Sequence, residues 1–214
     1  MVRLTLSADR HVAHVAARLC AANEKGESWL VTYVLRNLTH RDSHSDPCLL
    51  TPGESFDVTL PMSFIAHRFA KGERIRLAIS PGLWPLVWPA PEPVQLNVRL
   101  GCSSLTLPVR PEKAAPQGMP IPLKTRAPGA ERPSPVTARD SGCRMEPGRP
   151  STCHWTQTEE GRWTCGDSDC VVEASYDLTA TLSHFHLAES LTARRGGSLV
   201  FERRAASKVP RKCL

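Results

Sequence analysis

Nowhere in this sequence do apolar residues run far enough to cross a membrane. Charged and polar side chains interrupt every apolar stretch well before the roughly eighteen residues that a helical span needs, so no membrane partner is expected. A secretory signal is missing too. Met1-Val2-Arg3-Leu4-Thr5-Leu6 alternates like a strand and has neither an apolar h-region nor a small-residue cleavage site. The expected compartment is the cytoplasm, where thiols stay reduced. Asn37-Leu38-Thr39 fits the glycosylation sequon, which has meaning only on a secretory route. Helical periodicity and internal repeats are absent as well, and no helix is specified anywhere.

The chemistry-bearing motifs are equally scarce. An α/β-hydrolase holds its serine in a Gly-x-Ser-x-Gly elbow. The nearest approach here, Gly26-Glu27-Ser28-Trp29-Leu30, lacks the second glycine and opens a strand. His40-Arg41-Asp42-Ser43-His44 contains the three residue types of a triad. Residues so close on one loop seldom face one another as nucleophile, base and orienter. A Gly-rich phosphate loop, paired carboxylates and a His-Glu-x-x-His motif are all lacking, so no catalytic residue is assigned. Eight cysteines are present, but structural zinc sites use ligand pairs two to four residues apart. Cys20, Cys48, Cys102 and Cys213 are scattered. Cys143, Cys153, Cys165 and Cys170 cluster loosely beside His154, and only Cys165 and Cys170 approach that spacing. No metal and no cofactor is expected. The formal charge of +6 is only partly gathered, at Arg203, Arg204, Lys208, Arg211 and Lys212. A nucleic-acid binder shows a basic stripe within a recognisable module, so no nucleic-acid partner is expected.

What is present is β structure. Trp29, Val31, Tyr33 and Leu35 share one face of a strand. Phe56, Val58 and Leu60 alternate with polar neighbours, as do Ile75, Leu77 and Ile79, and then Val94, Leu96, Val98 and Leu100. With the opening strand, Val12 to Cys20, and Leu105 to Val109, about seven strands follow one another at the spacing of a sandwich or jelly roll. Residues 112–152 are dense in Pro, Gly and Ala without apolar periodicity, and read as an extended linker. From 153 to 214 β character returns. Val172, Ala174, Tyr176 and Leu178 share a face, and Arg195-Gly196-Gly197-Ser198 is a hairpin signal. The predicted architecture is thus an all-β, jelly-roll-like sandwich over 1–111, a Pro-rich linker, and a smaller β extension.

The most unusual passage is Gly82-Leu83-Trp84-Pro85-Leu86-Val87-Trp88-Pro89-Ala90-Pro91-Glu92-Pro93. Its prolines fix an extended backbone on which two tryptophans stand four residues apart. Such a loop suits contact with a partner or another domain, capping of the chain's own core, or stacking on a ligand.

These features combine into a resemblance. Leu6-Ser7-Ala8-Asp9, Val12 to Leu19, Asn37-Leu38-Thr39-His40-Arg41, Pro61-Met62 to Phe69, Gly72-Glu73-Arg74-Ile75-Arg76-Leu77-Ala78-Ile79-Ser80 and Trp84-Pro85 through Trp88-Pro89 are arranged in a known order. That order is similar to the C-terminal domain of the X-Pro dipeptidyl-peptidase and cocaine-esterase family of serine hydrolases. A looser likeness runs from about Trp155 to Leu214, through Phe201-Glu202-Arg203 and Val209-Pro210-Arg211.

The resemblance implies a jelly roll akin to galactose-binding modules, packed on a catalytic α/β-hydrolase domain that carries the serine and lies outside this chain. Trp84 and Trp88, with His40 and His44, are the expected inter-domain contact. The sequence begins partway through that family's sandwich, so early strands are expected to be missing, leaving an open sheet edge through which the chain could self-associate. The alternative is a stand-alone carbohydrate- or ligand-binding module. Arg74, Arg76, Gln95, Asn97 and Arg99 supply polarity for it, but no aromatic platform. The purified chain is expected to hydrolyse neither X-Pro chromogenic dipeptides nor p-nitrophenyl esters above background. Turnover that disappears on Ser43→Ala would contradict this.

Overall fold

The computed structural model describes residues 1–109 and 136–212, and these are almost wholly β. Seven strands come first: β1 (Val2–Ala8), β2 (His14–Ala22), β3 (Ser28–Asn37), β4 (Phe56–Leu60), β5 (Arg74–Ser80), β6 (Leu96–Val98) and β7 (Ser104–Leu105). They form two sheets. In one, β1 is flanked by β4 on one side and by β6 and β7 on the other; in the second, β2 lies between β3 and β5. All the pairings are antiparallel. Among the described residues, no helix is long and apolar enough to cross a membrane.

The core lies between these sheets because each central strand turns its small and branched side chains the same way. Val2, Leu4, Leu6 and Ala8 of β1 meet Val15 and Ala17 of β2, with Val58 and Leu60 of β4 beside them. Leu38, in a 3₁₀ turn after β3, and Leu50, in the loop that follows, close the cluster. That loop is held by backbone bonds from Leu50 to His11 (2.9 Å) and from Gly53 to Ala8 (2.8 Å). Leu6 and Leu60 are completely buried, each contributing about 1.5–3 kcal/mol of burial.

Three expectations need adjustment. The register of β3 on β2 shifts between Leu19 and Cys20, so Tyr33 faces Arg18 but Trp29 faces Ala21, and the expected shared face is broken; Trp29 and Tyr33 are 42% and 37% exposed. Val34 packs on the core instead, opposite Ala17. Leu100, expected inside a strand, is 83% exposed. Ladder pairing stops after β6 because a hydroxyl replaces the next partner. Thr5 N–H donates to Ser103 Oγ (3.2 Å), which donates to the Arg99 carbonyl (2.8 Å), and the backbone turns through Leu100–Cys102.

The third correction concerns the linker. Its residues 112–135 lie outside the described residues, but 136–152 are largely strand. β8 (Val136–Glu146) and β9 (Arg149–Cys165) form a hairpin whose turn uses Gly148 at φ +73°. They continue into β10 (Ser168–Ala180), β11 (His184–Arg195) and β12 (Ser198–Pro210), a five-stranded meander in the order β12-β11-β10-β9-β8. Period-two alternation reports a difference in burial between two faces. Among the described residues this sheet stands largely free, with Cys153 and Ala180 its buried hydrophobics, so β8 carried little such signal. The Gly196-Gly197 turn joins β11 to β12 as expected, both residues at positive φ.

Burial separates residues that look alike in sequence. Leu6→Ala should cost about 2–5 kcal/mol in urea unfolding. Ile75→Ala, at a site 51% exposed, should stay within about 0.5 kcal/mol. Equal losses would place the core elsewhere.

Candidate functional site

The sandwich and the five-stranded sheet meet at the Trp-Pro loop. Trp84 and Trp88 pack edge to face with ring centroids 5.2 Å apart, and Trp88 does the same with Phe185 at the start of β11, at 5.8 Å. The aromatic pair expected at an inter-domain contact thus bridges the loop to this chain's own C-terminal sheet. Aromatic pairs in this geometry add about 0.5–1.5 kcal/mol beyond their area.

Beside them sits Arg211, 9% exposed, just beyond β12. Its Nη2 donates to the Pro89 carbonyl (2.6 Å) and its Nη1 to the Thr181 carbonyl (3.2 Å), while its backbone N–H donates to Ser183 (2.8 Å). The guanidinium lies 4.7 Å from the centroid of the Phe185 ring. No carboxylate pairs with it among the described residues. Burial lowers its pKa from the ordinary arginine value; Arg nevertheless stays charged. A buried cation without a carboxylate needs hydrogen bonds and a ring face; the loop and sheet supply two acceptors and the ring, while the buried Nε has no partner among the described residues.

His14, at the start of β2, completes the cluster. It is 6% exposed, and burial first, then Arg211 and His40, lower its pKa to about 4. His40 lies in the 3₁₀ turn after β3 with both ring nitrogens buried and unpartnered among the described residues. The His44 ring lies beside it, tilted by 41° with centroids 5.4 Å apart. Burial also raises the Cys153 thiol to about 11, with Arg211 opposing and Cys143 reinforcing. With its pKa raised, the Cys153 thiol stays protonated at neutral pH, the less reactive form. In the neighbouring loop, Ser43 Oγ accepts from the N–H groups of Ser45 (3.2 Å) and Asp46 (3.1 Å), and Asp42 pairs with Arg41 at 3.2 Å. Among the described residues no three metal-ligating side chains gather.

The four sequence-expected residues therefore fall in one region, joined through His14 and Arg211, which sequence reasoning did not single out. Arg211 carries no local sign that separates it from the other terminal cations, and His14 sits inside an ordinary strand pattern. Two clefts flank the region or lie apart from it. One of about 320 Å³ separates Trp84 and Val94 from Met145, Arg149 and Pro150 at the β8–β9 turn. Another, of about 470 Å³, is mainly apolar and lies under the loop from Pro61 to Phe69, with Phe64 fully exposed.

The histidine makes a pH prediction. His14 binds its proton less readily folded than unfolded, so the unfolded state holds more protons between pH 6.5 and 4. Stability should be full above that window and fall through it by about 3 kcal/mol. His14→Gln should flatten the decline in thermal melts. An unchanged slope would assign the loss to other groups.

Residues 1–118 match the family model described as the X-Pro dipeptidyl-peptidase C-terminal non-catalytic domain. No curated protein and no solved structure matches the chain. The match covers more than half of the 214 residues, spanning both sheets of the sandwich, the Trp-Pro loop and the His40–His44 turn. The chain belongs to the family of X-Pro dipeptidyl-peptidase C-terminal non-catalytic domains.

Proposed function

We propose that this chain is the accessory domain of a serine hydrolase and packs on an α/β-hydrolase domain that supplies the nucleophile. The family match over residues 1–118 carries the reading. It is supported by a histidine cluster that holds a neutral imidazole and a protonated thiol around a buried cation. The contribution is shape: a rigid β surface against which the catalytic domain is held and its cleft walled.

The contact is drawn from exposed apolar surface, because contiguous apolar patches at this scale mark interfaces. Phe64 is wholly exposed and Ile65 is 51% exposed, above a cleft lined also by Leu19, Met62, Phe69 and Leu107. Trp84 is only half-buried and His44 exposed, so both keep surface to offer a partner. Trp88 and His40 are committed inside the chain.

Co-expression with a family catalytic domain lacking its own C-terminal domain should give a one-to-one complex by light scattering. Phe64→Asp, which would bury a charge in that contact, should weaken it roughly tenfold or more. Absence of a complex would overturn the accessory reading. A complex indifferent to Phe64→Asp would move the contact to Trp84 and His44.

A further inference from the structure

The five-stranded sheet ends on one side at β12, which has no neighbour beyond it among the described residues. Long bare edges are normally blunted, because their free N–H and C=O groups pair with other chains. β12 has two natural stops. Ala193 faces Phe201 but Arg194 faces Leu199, so Val200 is bulged out of the ladder. At the other end Pro210 has no N–H to donate. The regular run is therefore 201–209, and its middle residue is Ala205.

Antiparallel geometry restricts how such a run can pair with its own copy. Alternate residues of an edge strand aim their N–H and C=O outward, so a residue must face one of the same parity. The two-fold axis then passes through a residue, never between two. An axis at Arg203 or Arg204 would set two guanidinium groups opposite each other. An axis at Ala206 would set Arg204 against Lys208. The axis at Ala205 uses the whole run. It sets Phe201 opposite Val209, Glu202 opposite Lys208, Arg203 opposite Ser207 and Arg204 opposite Ala206.

We infer that β12 is a self-pairing edge, through which two copies join antiparallel about an axis at Ala205 and merge their sheets into one. Apolar meets apolar and acid meets base in that register. Phe201 is 48% and Val209 51% exposed in the single chain. The cations that would otherwise oppose pairing are held within each copy, Arg204 by Glu202 (2.9 Å) and Arg203 by Glu189 (3.5 Å). Lys208 makes no ion pair among the described residues, leaving it available to Glu202 of the second copy. This edge is remote in sequence from the sandwich edges on which self-association was expected, and the inference does not depend on binding a catalytic domain.

Sedimentation equilibrium of the full chain, without any catalytic domain, tests it. A monomer–dimer equilibrium is expected. Lys208→Glu and Glu202→Lys each replace two attractive pairs by repulsive ones and should weaken the dimer roughly tenfold to a hundredfold. The exchanged double variant Glu202→Lys/Lys208→Glu should restore it. Both positions are exposed, so far-UV circular dichroism should be unchanged. With Ala205→Cys, the paired Cα atoms would be roughly 4.5–5.5 Å apart, within disulfide reach. Mild oxidation should then give a 205–205 cross-linked peptide by mass spectrometry. A chain that stays monomeric while folded, a dimer indifferent to both single exchanges, or assemblies growing beyond two copies would each overturn the inference.

Discussion

Arg211 must keep its charge while almost completely buried, and much of the junction's arrangement depends on how that is met. No carboxylate reaches it among the described residues, so its protons go to the carbonyls of Pro89 and Thr181 and its plane to Phe185. Those partners come from the Trp-Pro loop and from both sides of the turn between β10 and β11. Holding one guanidinium, two of whose nitrogens are hydrogen-bonded, therefore ties a loop of the sandwich to the base of the second sheet. The same positive charge disfavours protonation of His14 and partly offsets the effect of burial on Cys153. The cluster resembles a reactive centre in composition, but its charge is used to hold two pieces together.

The two β units are stabilised differently. In the sandwich, paired strands turn Leu4, Leu6, Val58 and Leu60 into a shared interior, and burial is the main source of stability. Among the described residues the five-stranded sheet has no facing layer of that kind. Its strands are long, and cross-strand pairs sustain it: Ser175 with Ser190 at 2.7 Å, His154 with Asp177 at 2.6 Å, and Thr192 with Glu173 at 3.2 Å. Such pairs bring tenths of a kcal/mol to about one each. The clasp at Arg211 matters more to this sheet than to the sandwich, which has its own core.

This contrast also explains what could be read from the sequence. β1 and β4 are legible because one face of each is buried, so Val2, Leu4 and Leu6, like Phe56, Val58 and Leu60, alternate with polar residues. β8 is not, because Arg139, Asp140 and Arg144 lie on a sheet without a covered side. The Trp-Pro loop declares itself by its prolines, and His40 with His44 by proximity. His14, Phe185 and Arg211 do not, since what buries them is distant in sequence: Arg211 and its acceptor at Pro89 are 122 residues apart. Seven early strands of an all-β fold were legible. The clasp that joins them to the rest was not.

The central place of β1 bears on how the chain acquires its structure. Val2 pairs with Leu60 on one side and with Leu105 on the other. Both neighbours follow β1 in the sequence, so during synthesis it waits for much of the sandwich to be made. Closing loops of that length is slow, and an apolar strand without partners is prone to pair wrongly in the interval. Synthesis order therefore sets a window in which Val2, Leu4 and Leu6 are exposed, and a chaperone acting on β1 of the nascent chain would have its greatest effect there.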